Sequence, residues 1–178
     1  MNLVKGTPAA GNWEVTKLSS KYRVRKLAEK DISMIYELCL KNRQYYEYCE
    51  KQPTEELIAQ DLKITPPGID SSGKYYVGFF EGETLVAVMD LIDGYPDETK
   101  AFIGFFMMNR DLQGRGVGSF IVREVMDFLK NKGFGAVQLG IDKDNPQSNY
   151  FWKKNGFSVI KECPQEEGVI LLAERQIS

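Results

Sequence analysis

Three places in the chain hold residue types whose spacing could do chemistry. In Gln113-Gly114-Arg115-Gly116-Val117-Gly118, three glycines fall within five positions directly ahead of an amphipathic run. The first N–H groups of a helix have no partner within it, the dipole there is positive, and glycine lets a ligand approach the backbone. Such a turn holds phosphate. It is not Walker A, which requires Gly-Lys-Ser/Thr at its end, nor the dinucleotide fingerprint, whose third glycine would fall where Ser119 stands. A bare strand-to-helix turn is the competing explanation, although such a turn rarely needs three glycines. The second place is Asn145-Pro146-Gln147-Ser148-Asn149-Tyr150-Phe151-Trp152, a short helix opened by proline. The third is Asp90, a carboxylate inside the otherwise apolar run from Leu85 to Ile92. A carboxylate there costs free energy unless a partner or a function compensates it.

What is missing narrows the chemistry. The 178 residues include no histidine, which removes Ser-His-Asp and Cys-His nucleophiles, histidine metal ligands and histidine bases. Cys39, Cys49 and Cys163 are odd in number and lack CxxC spacing, so reduced, partly buried thiols are expected and no metal is required. A formal net charge of −2 provides no basic footprint, and nucleic acid is not an expected partner. No apolar run reaches signal-peptide or membrane-spanning length, so a cytoplasmic protein without membrane association is expected.

These residues need elements to position them. "KYRVRKL" alternates as a strand, and "AEKDISMIYELCLKN" spaces Ile32, Ile35, Leu38 and Cys39 as a helix. "RQYYEYCEKQP" reads as an aromatic-rich loop, with a second helix from Pro53 to about Lys63. "KYYVGFF", "TLVAVMDLI" and "KAFIGFFMM" form an antiparallel meander. A helix from about Gly116 to Lys132 buries Phe120, Ile121, Val125, Phe128 and Leu129. "AVQLGI", the helix at Pro146, "FSVIKEC" and "GVILLAER" complete a mixed sheet. Length and composition suit one domain over residues 21–178, preceded by a polar extension over residues 1–20.

Gln113 to Gly118 resembles the coenzyme A pyrophosphate turn, Q/R-x-x-G-x-G/A, of the GNAT acetyltransferase superfamily. "NPQSNYFWKKNGF" is similar to that family's second segment, with Asn145, Ser148, Phe151, Trp152, Gly156 and Phe157 in register. The resemblance covers about residues 22 to 175. It implies an α/β (α+β mixed) GNAT-like acyl-CoA N-acyltransferase fold, with a mostly antiparallel sheet flanked by helices, and acetyl-CoA as cofactor. It further implies that amides from Arg115 through Ser119 hold the pyrophosphate, with Gln113, Gly114, Gly116, Val117 and Gly118 shaping the turn. Backbone at Met108 would pair with the pantetheine, and Asn145, Ser148 and Trp152 would face the cofactor. The N–H of Phe106 would polarise the thioester carbonyl, and one oxyanion donor contributes ~2.7–4 kcal/mol. Arg115 could equally be a solvated charge, and Asn145 could simply start the turn at Pro146.

The family's pattern is incomplete here. Trp152 stands where many members carry the tyrosine that protonates the thiolate, and Phe102 stands at a frequent carboxylate position. A thiolate with a pKa near 8.5 still leaves tolerably. Asp90 is the candidate general base, or else a strand carboxylate facing water or a backbone amide. By the resemblance, Tyr45, Tyr46, Glu47 and Tyr48 lie on the acceptor side, where they could cradle an amine or pack the first helix onto the sheet. The implied activity is direct acetyl transfer to a primary amine of a small molecule, by a chain that could act alone or as a homodimer. A non-catalytic acyl-CoA-binding or regulatory module is the alternative.

Overall fold

A computed structural model describes residues 12–178. Seven strands form one sheet in the order β1-β2-β3-β4-β5-β7-β6, with β1 at Arg23–Lys26, β2 at Lys74–Glu81, β3 at Thr84–Asp93, β4 at Lys100–Met108, β5 at Ala136–Asp142, β6 at Ser158–Pro164 and β7 at Val169–Gln176. Every neighbouring pair is antiparallel except β4 and β5. The helices are α1 (Ile32–Lys41), α2 (Arg43–Tyr46), α3 (Glu55–Asp61), α4 (Val117–Asn131) and α5 (Pro146–Lys154). The order of strands and longer helices follows the sequence expectation, and the aromatic loop after α1 contains in addition the four-residue helix α2.

Both faces of the sheet are covered, so β2 and β3 read as near-continuous apolar runs instead of alternating. On one face α4 buries Ile121, Val125 and Leu129 against Val77, Met89, Ile103 and Leu139. On the other, Ile35 and Leu38 of α1 and Ile58 of α3 pack on Tyr76, Val88 and Met107. Each fully buried aliphatic side chain contributes ~1.5–3 kcal/mol. No helix among the described residues is long and apolar enough to cross a membrane.

Described residues ahead of position 21 pack against the sheet and α4. Trp13 stacks on Tyr75 with ring centroids 4.4 Å apart, and Leu18 is fully buried in the α4-side core. Ser19 Oγ and the Ser20 N–H both donate to the Glu124 carboxylate of α4. The segment is polar in composition, and its few apolar side chains together with Ser19 and Ser20 dock it. The rest of the extension, residues 1–11, lies outside the described residues.

Candidate active site

One extra residue in β4 creates the site. Asp90 pairs with Phe105 and Leu91 with Ile103, which leaves Gly104 bulged. A bulge bends its strand and breaks the ladder. β4 and β5 pair only from Lys100↔Ala136 to Ile103↔Leu139. Beyond that point they part, and a cavity of about 380 Å³ opens between Gly104–Met108 and Leu139–Asp142.

Ladder alternation fixes what β4 presents there. Asn109 N–H bonds to Val86 C=O at 2.8 Å. In an antiparallel pair, bonded and non-bonded positions alternate. Met108 and Phe106, opposite Ala87 and Met89, therefore turn their N–H and C=O groups away from β3 and into the cleft. The Met108 carbonyl indeed accepts from Asn42 Nδ2 at 3.1 Å. The Phe106 side chain stacks on Phe151 and meets Trp152 edge-on, which gives the cleft an aromatic floor.

The glycine turn follows β4 and forms the cavity's other end, with Gln113, Gly114, Gly116, Gly118 and Ser119 lining it. Gly114 and Gly116 have φ of +79° and +76°, in the left-handed region that favours glycine. Gly116 caps α4, and the first closing bond runs from Phe120 N to Gly116 O. The N–H groups of Val117, Gly118 and Ser119 thus precede the helix's own ladder. Gly118 is needed for another reason: a Cβ there would lie 3.2 Å from Phe151 Cε2 and 3.4 Å from Met108 Cγ. The side chains of Arg115 and Val117 do not line the cavity. Arg115 is exposed and Val117 packs on the core, so only their amides remain available.

From α5, Asn145, Ser148 and Trp152 line the cavity. Asn145 is buried and its side chain accepts from Ser148 N at 3.1 Å, so it caps α5. Asn42, which sequence reasoning missed, ties the two ends of the site together. Its Nδ2 donates to Leu38 O and Met108 O, while its Oδ1 accepts from Gln113 Nε2 at 2.8 Å. Its place at the end of α1, where an Asn often terminates a helix, was the only signal available.

Besides Arg115 and Val117, three expected site residues do not line the cavity. Tyr46 points into the α1-side core and Glu47 is exposed, because the short helix α2 turns Tyr45 toward the cleft and Tyr46 away from it. Tyr45, Tyr48 and Cys49 line the cavity. Asp90, expected as the base, lies behind Gly104, and Lys74 Nζ holds its Oδ2 at 2.7 Å with both side chains buried. Burial pushes this carboxyl above the ordinary range, Lys74 pulls it down, and Asp61 adds to the rise. The strand carboxylate is compensated by a lysine, and it does not line the cavity.

The cleft fits coenzyme A by chemistry: unpaired first-turn amides for the pyrophosphate and strand-edge amide groups for the pantetheine. A family profile described as Acetyltransferase (GNAT) family matches residues 32–157. The chain belongs to this family. As a GNAT acetyltransferase it uses acetyl-CoA, which supplies an activated acetyl thioester. No curated protein matches it by sequence. Among solved structures, an acetyltransferase from Salmonella typhimurium that modifies the N-terminal serine of ribosomal protein L7/L12 is 17% identical, with TM-score 0.72 over 90% of this chain and 98% of that one. The PaiA N-acetyltransferase of Thermoplasma acidophilum, in complex with coenzyme A, is 17% identical with TM-score 0.65 over 87% and 98%. A spermidine N-acetyltransferase SpeG chimera from Vibrio cholerae and hSSAT is 14% identical with TM-score 0.68 over 89% and 96%. These GNAT neighbours share the fold and differ in their acceptors.

Proposed function

We propose that this GNAT acetyltransferase transfers the acetyl group directly to the primary amine of a small molecule, within a ternary complex. The supporting observation is a single cavity that runs from the glycine turn, past the cleft-facing N–H of Phe106, to a flank closed by Tyr45 and Tyr48. The first-turn amides of α4 bind the pyrophosphate, and Met108 backbone orients the pantetheine. Phe106 N–H donates to the thioester carbonyl oxygen as negative charge grows there, worth ~2.7–4 kcal/mol. The aromatic floor of Phe106, Phe151 and Trp152 keeps water from the thioester. Trp152 offers an N–H with no useful acidity, so the thiolate departs without a tyrosine donor.

The test is release of free thiol from acetyl-CoA across a panel of primary amines, with calorimetry of coenzyme A binding alongside. Amine-dependent release supports the proposal. Binding without release from any amine rejects it in favour of the non-catalytic acyl-CoA module.

A further inference from the structure

Resting on that reading, we propose that Asp142 anchors the acceptor's ammonium group, and that the acceptor is a small primary monoamine with an aromatic or apolar body. Asp142 ends β5, beyond the last residue paired with β4, on the flank that the strands' divergence opens. Among the described residues lining the cavity it is the sole carboxylate. Its position is fixed, because Oδ1 accepts from Asp144 N at 2.9 Å and its carbonyl accepts from Asn149 Nδ2. One carboxylate oxygen remains to meet a ligand.

Asp142 faces the aromatic flank. Burial pushes the Tyr45 hydroxyl and the Cys49 thiol up, and the nearby Asp142 charge adds to the rise in both. Tyr45 meets Phe105 edge-on at 6.3 Å, and Tyr48 stands beside them at the cavity wall. Gly140, two residues before Asp142, also lines the cavity and leaves room for a body. A single anion among aromatic faces suits one ammonium, through a charge-assisted hydrogen bond and cation–π contact. It does not suit a polycation. Two cations also line the cavity: Arg110 follows β4 at the start of the turn, and Lys154 ends α5 ahead of Asn155, whose Nδ2 bonds Ser119 Oγ. An acidic acceptor would meet Asp142 repulsively.

In the transfer, one ammonium proton passes to water and the neutral amine nitrogen bonds the acetyl carbon. The carbon–sulfur bond breaks, the thiolate leaves, and a second nitrogen proton ends on the thiol. Asp142 holds the nitrogen at the thioester before the first of these events.

The test is steady-state kinetics by thiol release with 2-phenylethylamine, spermidine and an alanine-terminated peptide. The expected result is a kcat/KM for 2-phenylethylamine at least tenfold above the other two. Asp142→Asn keeps an Oδ1 acceptor for Asp144 and should raise the amine KM at least tenfold, with the acetyl-CoA KM within twofold. Tyr48→Ala, at an exposed position, should raise the amine KM several-fold with an unchanged melting temperature. A preference for spermidine or the peptide, or an amine KM indifferent to Asp142→Asn, overturns this inference and leaves acetyl transfer standing. No thiol release with any amine, despite coenzyme A binding, overturns both.

Discussion

A Cβ on Gly104 would lie 2.8 Å from Oδ2 of Asp90, the same oxygen that holds Lys74. The bulge that parts β4 from β5 and the buried ion pair behind it therefore share one space. Gly104→Ala should force the carboxylate off Lys74 or flatten the bulge, at a cost of ~1–3 kcal/mol. Denaturant melts would read the stability loss. Turnover should fall more than coenzyme A affinity, because the bulge sets the cleft-facing Phe106 and the glycine turn lies beyond it.

Asp90→Asn tests whether the strand carboxylate serves structure. It strands a buried ammonium, which costs ~3–5 kcal/mol, whereas replacing both partners by apolar residues of similar size is close to neutral. Lys74→Met combined with Asp90→Leu should thus recover most of the lost stability. Turnover per folded molecule should persist in the double variant. Its abolition with intact folding and coenzyme A binding would restore Asp90 as the proton acceptor.

The glycines of the turn should fail in different ways. Gly116→Ala meets open space but a left-handed backbone, a strain of ~1–2 kcal/mol that distorts the first-turn amides and weakens coenzyme A binding. Gly118→Val instead drives into Phe151 and Met108, narrowing the cavity and lowering the melting temperature. Calorimetry and thermal melts together separate the two.

Asn42→Ala removes donors to Leu38 and Met108 and an acceptor for Gln113. A buried group left unpaired costs ~1–3 kcal/mol. Because Asn42 joins the end of α1 to both β4 and the glycine turn, coenzyme A affinity and amine KM should worsen together. Isothermal titration and kinetics on the same preparation would show it.

Acid stability should depend on Asp31, whose carboxylate accepts from Arg25 Nη1 and Nη2 and from Ala28 N. The Arg25 hydrogen bond holds this carboxyl below the ordinary range against the opposing effect of burial. The folded value lies under the unfolded one, so the stabilisation is present above the unfolded value of about 3.9 and is lost as pH falls through the folded value. Asp31→Asn should cost about 1 kcal/mol at neutral pH, given a partly exposed partner. Melts across pH should show the difference closing in acid.

Much of this was legible in the sequence because it is local. The turn Gln113–Gly118, the segment Asn145–Phe157 and the apolar periods of α4 and the strands each depend on residues a few positions apart. Gly104 carried a weak signal, since a lone glycine inside a strand suggests a bulge, but its opposite partner was not readable. Tyr45 and Tyr46 are adjacent and chemically identical, so nothing in the sequence could tell which faces the cleft.

The order of elements and the glycine turn ahead of α4 could be read from local sequence, because backbone conformation and hydrophobic period are set by near neighbours. That Asp90 belongs to Lys74, that Trp13 stacks on Tyr75, and that Asp142 shares a cavity with Tyr45 is settled by the folded chain alone. Those pairings join residues 16, 62 and 97 positions apart, as the numbering shows. Sheet register and helix docking bring them together, and no local preference encodes that distance.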